Sequence, residues 1–139
     1  MAAGHYYGKI SLQRQATCHP DLILWSNALL KVCPFDLAIL CGYRNERDQM
    51  VAYHGGTSKV RYPNSKHNKI PATAIDIAPW FLKDGNVDWD FRPHFDVMAG
   101  QGLLVARALG TNLRWGGDWD RDGDLRNNNF NDLVHFELV

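Results

Sequence analysis

The chain has 139 residues, the usual size of one domain, and 45% of them are hydrophobic, which is enough to form a core. Its 15 basic and 15 acidic side chains give a formal net charge of zero, so composition gives no support for a nucleic-acid-binding protein, which normally carries a basic excess. No apolar run reaches the length of about 18 residues that marks a membrane-spanning helix, so we expect no insertion into a membrane.

The amino-terminal segment, residues 1–15, is mixed and polar and lacks the apolar centre of a secretory signal. We therefore expect synthesis in the cytoplasm, with separate delivery if the substrate lies outside it. Cys18, Cys33 and Cys41 are spaced too widely for a metal knuckle and are predicted to be buried thiols. Such thiols fit synthesis in a reducing compartment.

The first predicted helix covers residues 20–32, because apolar residues recur there at three- and four-residue steps and form one buried stripe. The short apolar segment at residues 35–43 predicts a strand, with Arg44 at its end. Asn45 is a suitable N-cap for a short helix over residues 46–54, which a Gly-Gly pair would end.

A loop is predicted at residues 57–71, which contain several prolines and asparagines, and a strand at residues 73–78, which Pro79 would end. The longest helix is predicted at residues 93–109, with Leu109 on its inner side. A third strand at 111–115, a polar loop at 116–131 and a last strand at 133–138 complete the chain.

These elements do not alternate regularly between strand and helix. An α+β fold is therefore predicted, in which helices flank a small mixed or antiparallel sheet.

Two imidazoles and one carboxylate, from His67, Asp76 and His135, are the candidate metal ligands. Because side chains alternate along a strand, Asp76 and His135 both lie opposite the apolar faces of their strands. If those strands are neighbours, both groups line one cleft, and His67 can reach it from the preceding loop. Such a set leaves one position of a zinc ion open for water, and zinc-bound water is a hydrolytic nucleophile near neutral pH. Asp132 is a candidate base for that water.

Each of these residues also has a plainer interpretation. A lone strand histidine is more often a satisfied polar residue than a ligand, and Arg44 or a backbone donor could balance Asp76. Arg44 could instead form a structural ion pair with Glu46 or Asp48. The remaining histidines are predicted to be surface or structural residues, namely His5, His19, His54 and His94.

The same residues carry a family resemblance. The chain resembles the zinc peptidases of the D-alanyl-D-alanine carboxypeptidase and endolysin group, peptidase family M15. The group's first signature is similar to S-x-H followed by A-x-D, which stands here at residues 65–67 and 74–76. Its second signature is an acid separated by two residues from a histidine, here Asp132 and His135.

The resemblance extends from about residue 22 to residue 139. Arg44, after the first central strand, matches, and the segment Trp-Gly-Gly-Asp-Trp at residues 115–119 resembles phage members. One departure is the segment at residues 68–73, which is longer than the glycine-containing spacing of many members and resembles phage-type members instead.

This resemblance implies a D-alanyl-D-alanine carboxypeptidase-type fold, with one catalytic domain at residues 1–139 and no separate cell-wall-binding domain. Asp132 would act as general base and then as general acid, and Arg44 would stabilise the oxyanion. Ser65 would either bind the substrate or cap its loop. The ligands of a single Zn²⁺ would be His67, Asp76 and His135.

The resemblance also implies that the substrate is the stem peptide of peptidoglycan. The small size, the lack of a signal and the phage-like motifs resemble endolysins that cleave between L-alanine and D-glutamate. The sequence does not indicate an oligomeric state, and a monomer is the default expectation. Such an endolysin would be made in the host cytoplasm and would need a holin-type pore to reach the periplasm or cell wall. A D-alanyl-D-alanine carboxypeptidase or dipeptidase is one alternative. A zinc-bearing, non-catalytic cell-wall-binding module is another, which the presence of Asp132 and Arg44 disfavours.

Residues 118–124 resemble the front of a calcium-binding loop, with acids at alternate positions and a glycine sixth. The ninth position is Arg126 and the twelfth is Asn129 in place of a bidentate glutamate, so a solvated acidic loop is the plainer interpretation. The candidate Ca²⁺ ligands are Asp118, Asp120 and Asp122.

Overall fold

The computed structural model describes residues 4–126 and 131–139. Its helices are α1 (Lys9–Gln15), α2 (Pro20–Val32), α3 (Glu46–His54) and α4 (Arg92–Leu109). Its strands are β1 (Asp36–Cys41), β2 (Ala74–Trp80), β3 (Leu113–Trp115) and β4 (His135–Leu138). Short 3-10 helices lie at Lys66–Asn68 and Leu82–Asp84. No helix within the described ranges has the length and apolar character needed to cross a bilayer.

The strands form one antiparallel sheet in the order β1-β2-β4-β3, which confirms the α+β class. The last strand, β4, enters the sheet beside β2, and Asp76 lies directly opposite His135 in the ladder. The two strands that carry candidate ligands are therefore neighbours. This was the condition under which both side chains would line one cleft.

Helices α2 and α4 pack against each other, and α4 packs against strands β2 and β3. Trp25 of α2 is fully buried, and its ring centroid lies 4.9 Å from that of Phe136 on β4. Its indole Nε1 donates a 2.8 Å hydrogen bond to the Gly102 carbonyl in α4. The helical layer thereby fixes β4, whose alternate residue His135 points to the opposite face.

The prediction that residues 20–32 form the first helix is correct in its bounds but wrong in its order, because α1 precedes it. Helix α1 has only seven residues and too little apolar periodicity to be recognised. Tertiary hydrogen bonds hold it in place. The Ser11 hydroxyl accepts a 3.0 Å bond from the Ile39 N–H, and the Gln15 amide donates to the Ser26 hydroxyl at 2.9 Å.

Two other local predictions were wrong. Strand β2 continues through Pro79 to Trp80, because at Pro79 it pairs only with β1 and the other side of the strand needs no donor. Leu109 is 40% exposed, and Ala106 takes the inner position in the last turns of α4. The three cysteines are free thiols, as predicted; of these, Cys41 is only half-buried.

The two glycines inside α4 have opposite surroundings, which gives a matched test of the packing. A Cβ at Gly102 would lie 2.9 Å from Cζ2 of the buried Trp25, whereas a Cβ at Gly100 would meet nothing within 4 Å. Alanine favours a helix by about 1 kcal/mol over glycine, and overpacking a core costs roughly 1–3 kcal/mol. We expect Gly100→Ala to raise the free energy of unfolding in urea and Gly102→Ala to lower it. Equal effects would contradict this packing.

Candidate metal centre and active site

The nitrogen and oxygen atoms of His67, Asp76 and His135 converge on one point. Nε2 of His67 lies 3.2 Å from Oδ1 of Asp76 and 3.2 Å from Nδ1 of His135, and the third side of the triangle is 3.3 Å. Ligands held ~2.0–2.1 Å from a tetrahedral zinc ion lie about 3.3 Å apart, so the triangle has the size that zinc requires. All three residues are buried. The longer segment between His67 and Asp76 is compatible with this convergence.

The orientation of His67 is set by its loop and by the end of β1. Its Nδ1–H donates a 2.7 Å hydrogen bond to the Gly42 carbonyl, which leaves the lone pair of Nε2 for a cation. A side chain at position 42 would be impossible, because its Cβ would lie 2.5 Å from the Arg14 carbonyl. The Ser65 hydroxyl accepts a 3.2 Å bond from the His67 N–H and caps the 3-10 helix. Ser65 therefore caps its loop, and its contact with substrate stays a prediction.

His135 is held from behind by the carboxylate of Glu137, for which no role was predicted from the sequence. Its Nε2–H donates a 2.8 Å hydrogen bond to Glu137, which fixes Nδ1 as the atom that faces the other two ligands. Glu137 is buried and also accepts from Arg114 at 2.8 Å and pairs with Lys66 at 3.2 Å. Burial alone would raise the pKa of Glu137, but these partners lower it to about 2, so it remains a carboxylate.

Glu137 is thus predicted to orient His135 and to strengthen its binding to a metal. Glu137→Gln keeps the size of the side chain but replaces the anionic acceptor with a neutral one. We expect the affinity for Zn²⁺ to fall about 10–100-fold, measured by competition with a chelator. An unchanged affinity would show that the hydrogen bond has no influence on the ligand.

The Asp76 carboxylate and the imidazoles of His67 and His135 stabilise one another's charged forms. Burial alone would lower the pKa of His67, but the adjacent Asp76 carboxylate raises it to about 10. The imidazoles in turn hold the pKa of Asp76 well below its usual range, against the effect of burial. Because a metal must replace protons on the imidazoles, Zn²⁺ binding at this centre releases protons and strengthens as pH rises.

Arg44 faces the metal centre. Its guanidinium lies 3.5 Å from Oδ2 of Asp76, so the structure gives it this ion pair in place of one with Glu46 or Asp48. Gln49 of α3, which is fully buried, accepts a 3.1 Å hydrogen bond from Arg44 and holds it in position. Gln49 carried no sequence signal beyond its place on a short helix.

Asp132 lies in the turn before β4. Its backbone N–H donates to the Gly116 carbonyl at 2.8 Å, and its own carbonyl accepts from the His135 N–H at 3.1 Å. Glycine is required at 116, because a Cβ there would lie 2.2 Å from the Asp132 carbonyl oxygen. Burial, followed by the nearby Asp76 carboxylate, raises the pKa of Asp132 to about 6. A carboxyl group with this pKa can accept and return a proton near neutral pH.

The three candidate metal ligands, Arg44 and Asp132 all line one cleft of about 760 Å³. Its lining includes two tryptophans, Trp89 and Trp119, and the ring of Trp119 lies 5.4 Å from that of His135. The cleft brings together every residue to which the sequence assigned a catalytic, substrate-binding or zinc-binding role, namely Arg44, Ser65, His67, Asp76, Asp132 and His135.

The acidic loop forms a second cluster. Asp118, Asp120 and Asp122 each offer an oxygen, and the three oxygens lie within 4.8 Å of one another. Gly123, the sixth position, has a φ of +79° that glycine adopts without strain. Oδ2 of Asp118 accepts from the Gly123 N–H, but its buried Oδ1 has no hydrogen-bond partner within residues 4–126 and 131–139.

The remainder of this loop gives less support for a cation. Arg126, the ninth position, is engaged with Asp124 at 2.9 Å. Asn129, the twelfth position, lies outside the described residues.

Two of the other histidines have structural roles, as predicted. His19 caps α2, where its Nδ1 accepts a 3.0 Å hydrogen bond from the Asp21 N–H. His94 packs among the rings of Phe35, Phe81 and Phe91.

Comparison with known proteins identifies the family. Residues 3–139 match the family described as phage L-alanyl-D-glutamate peptidase. The chain belongs to this family. An L-alanyl-D-glutamate peptidase of Escherichia phage T5 is 32% identical over 136 residues, which are 96% of this chain and 97% of the relative. The membership confirms the resemblance to the endolysin group and makes the chain a peptidase.

A solved structure supports the fold. The crystal structure of the Serratia marcescens L-Ala D-Glu endopeptidase ChiX has a TM-score of 0.74 at 22% identity, and the match covers 97% of this chain and 90% of that one. This chain therefore shares its α+β fold with a protein of low sequence identity.

Proposed function

We propose that this protein is a zinc-dependent peptidoglycan endopeptidase that cleaves the bond between L-alanine and D-glutamate in stem peptides. The choice of bond is supported by the family and by the activity for which the T5 relative is named. The observation that carries the metal chemistry is the triangle of His67, Asp76 and His135 atoms, 3.2–3.3 Å on each side.

Zinc fits this donor set better than other common cations. Two imidazole nitrogens and one carboxylate oxygen are typical zinc ligands, whereas Ca²⁺ and Mg²⁺ prefer six or more oxygens. When bound, zinc lowers the pKa of a coordinated water and polarises the scissile carbonyl. His67, Asp76 and His135 would hold the ion, and Glu137 fixes the orientation of His135.

Asp132 carries out the proton transfers, and Arg44 stabilises the negative charge that develops on the scissile carbonyl. Asp132 takes a proton from the attacking water and returns it to the leaving amine of D-glutamate, a role supported by its position in the cleft that the metal ligands also line. The Arg44 guanidinium lies beside Asp76 at the cleft, where its N–H groups stabilise the oxyanion of the former carbonyl.

Purified muropeptides test the choice of bond. We expect mass spectrometry of the products to show free glutamyl peptides, with L-alanine left on the muramic acid. Release of terminal D-alanine with the L-alanyl-D-glutamate bond intact would identify a D-alanyl-D-alanine carboxypeptidase or dipeptidase. Binding to peptidoglycan without any cleavage would identify a non-catalytic wall-binding module.

Action on peptidoglycan requires access to the cell wall. The proposed route is synthesis in the host cytoplasm followed by passage through a holin-type pore. We propose that the protein acts as a monomer, with residues 1–139 as one catalytic domain.

We propose in addition that the acidic loop binds Ca²⁺ through Asp118, Asp120 and Asp122. The unpartnered buried oxygen of Asp118 and the left-handed Gly123 support this second site. Calorimetric titration of the zinc-loaded protein with calcium should show binding that Asp122→Asn weakens. Absence of heat at millimolar calcium would leave the plainer interpretation of a solvated acidic loop.

A further inference from the structure

We infer that Trp89 is a stacking platform for a sugar ring of the glycan strand to which the stem peptide is attached. This inference rests on the proposed function, because the sugar enters the cleft as part of a peptidoglycan substrate. It adds a carbohydrate subsite to a cleft whose other residues act on the peptide.

The position and support of Trp89 carry the inference. Trp89 lines the same cleft as the metal centre but is 57% exposed. Its ring is stacked on that of Phe95 in α4, with centroids 6.0 Å apart and planes inclined by 23°. Phe95 is only 1% exposed, so a fixed core side chain supports one side of the indole. The rest of the indole is presented to the cleft and to solvent.

An indole face suits a pyranose ring. One face of such a ring presents C–H groups with little polarity, and the face of an aromatic ring carries partial negative charge that attracts them. Leu82, which is 86% exposed, lies outside the cleft lining, and a single exposed apolar side chain of this kind needs no ligand to explain it. Trp89 differs from Leu82 because it is placed in the cleft and supported from behind.

The chemistry of the substrate assigns the indole to the sugar and not to the peptide. In peptidoglycan the nitrogen of L-alanine is acylated by the lactyl group of a muramic acid, so a sugar lies one residue from the proposed scissile bond. The stem peptide itself has small or charged side chains. None of its residues offers a broad apolar face for an indole.

The test compares two substrates that differ only in the sugar. One is a disaccharide-peptide, and the other is the same peptide with its L-alanine nitrogen acylated by lactic acid alone, which keeps the amide and removes the sugars. Trp89→Ala should raise KM for the disaccharide-peptide about tenfold, as for loss of one aromatic stacking contact, and leave kcat little changed. The same variant should cleave the lactyl-peptide as the parent does. Trp89→Phe should keep KM for the disaccharide-peptide close to that of the parent, because it retains an aromatic face. Leu82→Ala should not change the kinetics with either substrate.

Equal loss on both substrates, or no loss on either, would overturn the inference. A thermal melt of Trp89→Ala verifies that the fold is kept. Calorimetry with the N-acetylglucosaminyl-N-acetylmuramic acid disaccharide alone separates this inference from the proposed function. If the parent cleaves neither substrate, the proposed function fails. The sugar-binding role of Trp89 is then supported only if the disaccharide binds the parent and does not bind Trp89→Ala. Equal binding to both proteins would overturn it.

Discussion

Asp132→Asn is expected to keep zinc bound while turnover of a muropeptide falls by about 10²–10⁴-fold, the usual contribution of a positioned acid/base. Asparagine has nearly the same shape and leaves the backbone bonds of residue 132 to Gly116 and His135 in place. It cannot accept the proton of the attacking water. The measurement is kcat together with the metal content of the purified variant.

The pH dependence of the parent gives an independent check. Asp132 must be ionised to act as a base, so kcat/KM should fall as pH drops through its pKa. That pKa is raised to about 6 by burial and by Asp76, and a bound dication will lower it, so the inflection should lie at or below pH 6. Asp84→Asn, an exposed acid outside the cleft, should behave as the parent. Undiminished hydrolysis by Asp132→Asn would refute the base assignment.

Arg44→Ala is expected to lower kcat by about 10²–10³-fold, the loss seen when one oxyanion donor is removed. Lysine at this position should restore only part of the activity, because a point charge lacks the planar set of N–H donors and the bond to Gln49. Steady-state kinetics with the muropeptide separates kcat from KM.

The control for Arg44 is Arg47→Ala, which removes an exposed arginine of α3 that does not line the cleft. It should change neither kcat nor KM. A loss in Arg44→Ala confined to KM, or an equal loss in both variants, would show that Arg44 does not act on the transition state.

Helix positions could be predicted closely where the signals are local. Pro20 in the first turn, the Asn45 cap and apolar stripes placed α2 and α3 correctly and α4 within one residue. Strand ends were less accurate, because a strand ends where its partner does. Pro79 shows this, since its missing N–H is harmless only at an unpaired side of β2. Helix α1 depends on tertiary hydrogen bonds that no local pattern reveals.

The residues of the site likewise fall into those that a local pattern identifies and those whose role depends on tertiary packing. Alternation along the strands put Asp76 and His135 on matching faces, but only the insertion of β4 between β2 and β3 makes them direct partners. Glu137 shares the face of His135 two residues later, so the same alternation could have identified it as a supporting residue. Gln49 could not have been found this way, since its contact with Arg44 depends on how α3 packs.

The central claim is that His67, Asp76 and His135 bind one zinc ion, and metal analysis of protein purified without added metal tests it most directly. We expect about one zinc per chain in the parent, and little or none in His67→Ala, which loses one of three ligands. Zinc absent from the parent even after incubation with excess metal, or equally abundant in His67→Ala, would contradict the account.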